Sequence, residues 1–203
     1  MRTACALGPA HISYYQLTLE PGTVFHSRPP RLPDEDTAWQ IQIAGQKMLA
    51  DAGYEQYEVS AYALKGARCR HNLNYWLFGD YLGIGAGAHG KLTLALPLRI
   101  LRTAKPKQPR EYQEQILRGA TIGESSFILP KDLPFEFMLN ALRLNEGFLA
   151  RDYRGRTGLE IASVEVKLAA AERRGLLASR AGGWQPTELG RRFLNDLQLG
   201  FLA

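Results

Sequence analysis

A chain of 203 residues, 45% of them hydrophobic, can bury a sizeable core either as one domain or as a partial domain followed by a smaller one. Its 25 basic and 20 acidic residues leave a formal charge of +5, well short of the concentrated positive face of a nucleic-acid-binding protein. With no run of about 18 uncharged apolar residues and no basic-then-apolar leader, neither a membrane span nor a secretion signal is expected, and the default compartment is cytoplasmic.

In chain order, residues 11–20 are rich in Ile, Tyr, Leu and Thr and stop at Pro21-Gly22, which predicts a buried strand ending in a turn. Asp34-Glu35-Asp36 is an acidic N-cap region for a helix over residues 37–52, with Trp39, Ile43, Leu49 and Ala50 on its apolar face and Gly53 as its stop. A second strand is predicted over 56–63. Strand, helix and strand with short connectors make a βαβ unit, so a parallel pair is expected.

Residues 56–91 carry the densest chemistry of the chain. His71, Asn72, Leu73, Asn74, Tyr75 and Trp76 place a metal-ligating side chain, two amides and two large aromatics within six residues. His71 is either a haem-iron ligand, with Tyr75 and Trp76 offering faces to a porphyrin, or a hydrogen-bonded structural residue. Asn72 and Asn74 are either ligand hydrogen-bonders or turn caps. The following Gly83-Ile84-Gly85-Ala86-Gly87-Ala88-His89-Gly90 lacks the GxxxxGK[ST] order of a nucleotide loop, which argues against an NTPase. Its Gly85 and Gly87 make either a wall that a flat ligand can approach closely or tight strand packing. His89 is read as a hydrogen-bonder within the glycine loop, His11 as opening a strand and His26 as a loop residue, while Glu20 and Glu58 have no evident partner for a general-acid pair, so none receives an acid–base role.

Pro97, Pro106 and Pro109 punctuate a basic connector over 98–110, followed by a short helix over 111–119, and a domain boundary is placed near Lys105, giving 1–104 and 105–203. Beyond Pro130 the spacing is helical: Phe135, Met138, Leu139 and Leu142 within 134–144, then Ile161, Val164, Leu168 and Ala171 within 159–174. Gly182-Gly183 is a hairpin turn, and Thr187 caps a closing helix that runs to about Leu199. This order is winged-helix-like. From Lys105 onward, however, 15 basic residues against 12 acidic ones are too few to neutralise phosphates, so no nucleic acid is expected.

His11-Ile12-Ser13-Tyr14-Tyr15-Gln16-Leu17-Thr18-Leu19-Glu20-Pro21, Tyr57-Glu58-Val59-Ser60, the HNxxYW run at 71–76 and the glycine run come in the order and spacing of one family. From about Gly8 to its end the chain resembles the oxygen-independent coproporphyrinogen III oxidase-like branch of the radical S-adenosylmethionine (SAM) proteins, and HNxxYW points within it to the HemW-type haem chaperones. The resemblance implies an α/β fold: the C-terminal part of a partial TIM-type (β/α) barrel, reaching about Leu94, then a small, mostly helical, winged-helix-like domain. It implies haem bound through His71, SAM near positions matching Thr18, Leu73, Asn74 and Gly87, and a 4Fe-4S cluster in the full-length family.

The family's CxxxCxxC cluster motif has no match here. Cys5 and Cys69, the only cysteines, lack its spacing, form no disulfide framework and read as structural thiols. The chain is therefore expected to be a C-terminal half whose sheet exposes an unpaired parallel edge, open to a missing N-terminal half or another chain. The expected function is the haem-binding portion of a HemW-like protein, passing haem to acceptor proteins and without catalysis of its own. The competing readings are a coproporphyrinogen III oxidase-like oxidoreductase that needs the cluster half, and an inactive truncated fragment.

Overall fold

The computed structural model describes residues 1–119 and 123–202. They fall into two compact units, Met1–Cys69 and Arg70–Ala203. The boundary expected near Lys105 lies inside the second of these, just past a strand that ends at Ala104.

In the first unit, a short helix α1 (Arg2–Ala6) leads into strand β1 (His11–Ser13), and a single turn α2 (Val24–Ser27) precedes the long helix α3 (Glu35–Asp51). The cap of α3 forms as its sequence predicts: Asp34 accepts from the Thr37 N–H at 2.8 Å and from the Thr37 hydroxyl at 3.0 Å. Gly53, at φ +86°, closes the other end. The apolar face differs from expectation. Leu49 is fully buried, whereas Trp39 and Ile43 remain 40% and 43% exposed and Ala50 is exposed. The packed stripe runs instead through Gly45, where a Cβ would stand 2.5 Å from the Tyr14 ring, so the missing side chain makes room for that ring.

The expected second strand is two strands. β2 (Glu55–Glu58) and β3 (Ala61–Ala63) pair antiparallel around a reversal at Val59-Ser60. Two polar side chains fasten that reversal: Gln56 Nε2 donates to the Val59 carbonyl at 2.9 Å, and the Glu58 carboxylate accepts from the Ser60 N–H at 3.2 Å. The sheet order is β1-β3-β2 with both pairings antiparallel, which corrects the expected parallel pair. β1 and β2 do run in the same direction, as a helical crossover requires, but β3 lies between them. β1 also stops at Ser13, not at Glu20, because its partner ends at the reversal; the Tyr14 N–H to Ser60 carbonyl bond of 2.8 Å is the last across it. Leu49, Tyr54 and Tyr62 form the core, with Ile12, Tyr14 and Leu64 against it.

The second unit opens with helix α4 (Arg70–Trp76), which carries the HNxxYW run. The stretch expected to be a connector is a strand: β4 (His89–Ala95) and β5 (Leu98–Ala104) form a seven-pair antiparallel hairpin. Its Leu-Pro turn, not a linker, accounts for Pro97. Helix α5 (Pro109–Leu117) follows, and β6 (Glu124–Phe127) adds to β5 to give the sheet order β4-β5-β6. Among the described residues every strand pairing is antiparallel, and no sheet closes into a barrel.

Helix α6 (Leu133–Ala141) then brings Leu133, Phe137, Met138 and Ala141 into the core. β7 (Phe148–Leu149) leads into α7 (Ala150–Thr157), and a 3-10 turn (Ile161–Val164) runs into α8 (Glu165–Arg173). The expected hairpin is present as β8 (Leu177–Arg180) and β9 (Gly183–Pro186), with β7 pairing on the free side of β9. Thr187 accepts from the Gly190 N–H at 3.0 Å and so caps α9 (Glu188–Arg192), which breaks at Phe193 before α10 (Leu194–Leu199). Phe137 is the centre of the core, edge-on to Phe78, Phe148 and Tyr153 at centroid distances of 5.7, 5.4 and 5.2 Å.

Candidate functional site

The HNxxYW helix α4 is one short segment held at its C-terminal end. The Gly79 N–H reaches the Asn74 carbonyl at 2.7 Å and the Phe78 N–H reaches that of Tyr75 at 2.9 Å, the two bonds of a Schellman cap. The left-handed position of that cap falls on Phe78, at φ +56°, where a glycine is usual. A phenylalanine persists there because its ring is buried in the core of the unit. Gly79 has no room for a side chain: a Cβ would stand 2.8 Å from the Asn74 carbonyl oxygen.

Asn74 serves this turn directly, donating Nδ2 to the Asp80 carbonyl at 2.9 Å. The Asp80 carboxylate takes the Thr93 N–H at 2.8 Å, the Thr93 hydroxyl at 2.7 Å and the Lys91 ammonium at 2.9 Å. Lys91 Nζ also donates to the Phe78 carbonyl at 3.0 Å and lies 4.3 Å from the centroid of the Phe78 ring. Burial presses the Lys91 ammonium below its ordinary pKa, partly opposed by Asp80. At Asp80 burial acts upward, but the hydrogen bonds from Lys91 and Thr93 and the Lys91 charge outweigh it and hold the carboxyl below 3.8. A depressed carboxyl pKa contributes stability that is present above the unfolded value and lost as pH falls through the folded one. Acidification below about pH 4 should therefore weaken the second unit, and Asp80→Asn should remove part of that dependence. Urea midpoints of the two proteins, compared between neutral pH and pH 3, test this: midpoint curves that stay parallel would refute it.

Three rings lie in contact along the outer side of the turn. His71 lies edge-on to Tyr75 at 4.9 Å, one helical turn away, and Tyr75 lies 4.3 Å from Tyr81. The Tyr81 hydroxyl accepts from Arg102 Nη1 at 2.8 Å, and the other Arg102 terminus is paired with Glu136 on α6. His71 is exposed, and no hydrogen bond or ion pair among the described residues engages its ring nitrogens. Trp76 points elsewhere. The Arg143 guanidinium sits 4.2 Å from its ring centroid, and its indole Nε1 is buried without a hydrogen-bond partner among the described residues. Asn72 and Leu73 are half-buried on the same helix.

The glycine run serves two purposes. Gly83 and Gly90 are close-packing positions: a Cβ on Gly83 would stand 2.4 Å from the His89 carbonyl oxygen, and one on Gly90 would stand 2.5 Å from the Thr103 hydroxyl. Gly85 and Gly87 have φ of +103° and +71° and shape an outward loop, pinned by the bond from the Gly87 N–H to the Pro106 carbonyl at 2.7 Å. No described atom other than its chain neighbours would lie within 4 Å of a Cβ on Gly85, so one side of this loop is open.

The structure thus brings His71, Asn74 and Tyr75 onto one turn, with Gly85 and Gly87 on the loop that follows. Thr18 belongs to the first unit, exposed on the irregular stretch after β1. That stretch and α3 flank an open pocket of about 240 Å³, lined in part by Tyr14, Leu17, Ile41 and Gln42. Sequence reasoning missed Asp80, Tyr81, Lys91, Arg102 and Arg143. Only Tyr81 gave a signal, as a further aromatic close after Tyr75, Trp76 and Phe78. Among the described residues no three His, Cys, Asp or Glu side chains gather as a metal site, and no helix is long and apolar enough to cross a membrane.

Residues 128–193 match the family model of the HemN C-terminal domain. Over its whole length the chain is 46% identical to the heme chaperone HemW of Haemophilus influenzae and 47% identical to that of Escherichia coli, covering 52% of each. The chain therefore spans about half the length of these curated relatives. Its fold matches the solved structure of coproporphyrinogen III oxidase (HemN) from Escherichia coli, a radical SAM enzyme, with a TM-score of 0.72 at 16% identity, over 98% of this chain and 49% of the enzyme.

Proposed function

Because the chain belongs to the HemW and HemN family, over about half the length of its HemW relatives, we propose that it is the haem-binding portion of a HemW-like radical SAM haem chaperone. The observation that carries this reading is the exposed His71 ring, its nitrogens engaged by none of the described residues, at the head of the Tyr75–Tyr81 pair. An imidazole open on one side and backed by aromatic faces suits a porphyrin with one axial ligand position to fill. Haem is then cargo, to be handed to an acceptor protein. Asn72, Leu73 and the open Gly85–Gly87 loop would border it, while Asn74 and Trp76 hold the helix.

SAM and a 4Fe-4S cluster are proposed for the full-length family protein. The residues present do not make a cluster ligand set, since Cys5 and Cys69 are the only thiols. A cluster held elsewhere would supply the electron for SAM cleavage, and this chain by itself is read as a binding module without that chemistry. The first unit is read as the end of a partial TIM-type barrel, with β1 at the edge of its sheet where a further segment or a separate chain would pair. The helices and the β8–β9 hairpin are read as a winged-helix-like domain.

Hemin titration of the chain and of His71→Ala tests the reading, with circular dichroism to show that both are folded. A saturable Soret-active site is expected in the parent and should be lost in the variant. Equal, non-saturating spectra for the two proteins would sink it.

A further inference from the structure

Lys91 is the most deeply buried charge in the molecule's candidate site, and none of the roles above uses it. Its side chain is 2% exposed, and its ammonium is divided between the Phe78 carbonyl and Asp80 while lying over the Phe78 ring. Burying an ammonium is costly unless its protons are taken up, so such a lysine has either a chemical or a positional use. A nucleophilic or Schiff-base role requires an amine that substrate can reach and that is able to lose its proton. Here the amine is enclosed and salt-bridged, which leaves the positional use.

The connections run directly to the ring stack. The Lys91 main chain exchanges both of its hydrogen bonds with Tyr81, each 2.9 Å long. Its ammonium holds the carbonyl of Phe78, the residue forced to positive φ, and the carboxylate of Asp80, whose own carbonyl accepts from Asn74. One residue thus ties the end of α4, the turn behind it and Tyr81, its partner in an isolated bridge. We infer that Lys91, through Asp80 and Phe78, is the positioning residue that fixes Tyr81 against Tyr75 and thereby sets the orientation of His71 toward its ligand. This inference rests on the haem reading for its functional consequence.

The test uses the whole chain. Lys91→Met keeps the length and removes the charge, Lys91→Arg restores a cation, and Asp80→Asn breaks the same pair from the other side without loss of volume. In folded Lys91→Met, hemin affinity is expected to fall about 10- to 100-fold, the usual effect of losing a residue that orients a ligand. Its Soret spectrum should move toward that of His71→Ala, added imidazole should restore the parent spectrum, and Lys91→Arg should recover part of the affinity. A purely structural role would lower the melting temperature and leave the spectrum of the folded fraction unchanged. Near-ultraviolet circular dichroism of the cargo-free chain reads the Tyr75–Tyr81 pairing independently of haem and should lose intensity in Lys91→Met.

Parent-like hemin affinity together with a parent-like near-ultraviolet spectrum in the folded variant overturns the inference. Should Lys91→Met not fold, Asp80→Asn is read by the same two criteria. A parent chain with no His71-dependent site defeats the haem reading instead, and the near-ultraviolet comparison still decides whether Lys91 positions the rings.

Discussion

Replacing Phe137 by alanine is expected to lower the stability of the second unit by about 3–5 kcal/mol, which for a domain of ordinary marginal stability approaches complete unfolding. The side chain is 1% exposed and makes edge-on contacts with Phe78, Phe148 and Tyr153, which come from three separate parts of the chain. Truncation would remove the apolar burial and leave a cavity bounded by three rigid rings, which collapse poorly into the vacated space. The damage would also travel to the candidate site. The Phe78 ring, which keeps a phenylalanine at φ +56°, packs directly on Phe137, and the Lys91 ammonium sits on the other contact of that ring. A urea titration should show a much lower midpoint, and any remaining folded fraction should bind hemin weakly. A loss of less than 1 kcal/mol would mean that Phe137 is not the centre of this core.

The second large effect is expected at Gly83. Its φ is not in the left-handed range, so the requirement is for space and not for an unusual dihedral. A Cβ there would stand 2.4 Å from the His89 carbonyl oxygen and 2.6 Å from its carbonyl carbon, and both are backbone atoms that no rotamer change can move. Gly83→Ala should therefore push the 81–83 stretch away from the start of β4, at about 1–3 kcal/mol or more for forced overpacking. The Tyr81–Lys91 bridge lies beside this contact and should open with it. Hydrogen exchange at the Tyr81 and Lys91 amides is the measurement: both should lose protection, whereas Gly85→Ala, where the space is open, should strain only its own backbone and leave those two amides slow. Unchanged protection in Gly83→Ala would show that the loop can yield.

Elements whose signals lie within their own segments are legible in the sequence. The capped start of α3, the helices α6 and α8, the Gly182-Gly183 hairpin and the Thr187 cap each depend on contacts within a few residues, so their spacing is sufficient. Residues 56–63 mislead because periodicity does not show a reversal fastened by side chains, as Gln56 and Glu58 fasten this one. The alternation of β4 and β5 is present in the sequence, but the prolines and arginines of 97–110 read as a connector. Trp39 and Ile43 on α3 stay 40% and 43% exposed, because a sheet of three short strands covers only the part of the helix near Leu49.

At the candidate site, sequence by itself determined the resemblance to the HemW and HemN family and singled out the HNxxYW segment, since these are properties of neighbouring residues, while the helix that carries the segment came with the structure. Tertiary structure decided which of those side chains face outward. Trp76 was drawn to Arg143 and Asn74 to the Asp80 carbonyl, leaving His71 and Tyr75 on the open side with Tyr81. It also decided that Lys91, a residue type that is ordinarily exposed, is buried. That burial is stable only because a carboxylate and a carbonyl from the turn after α4 converge on its ammonium, and no local pattern encodes the approach of groups so distant along the chain.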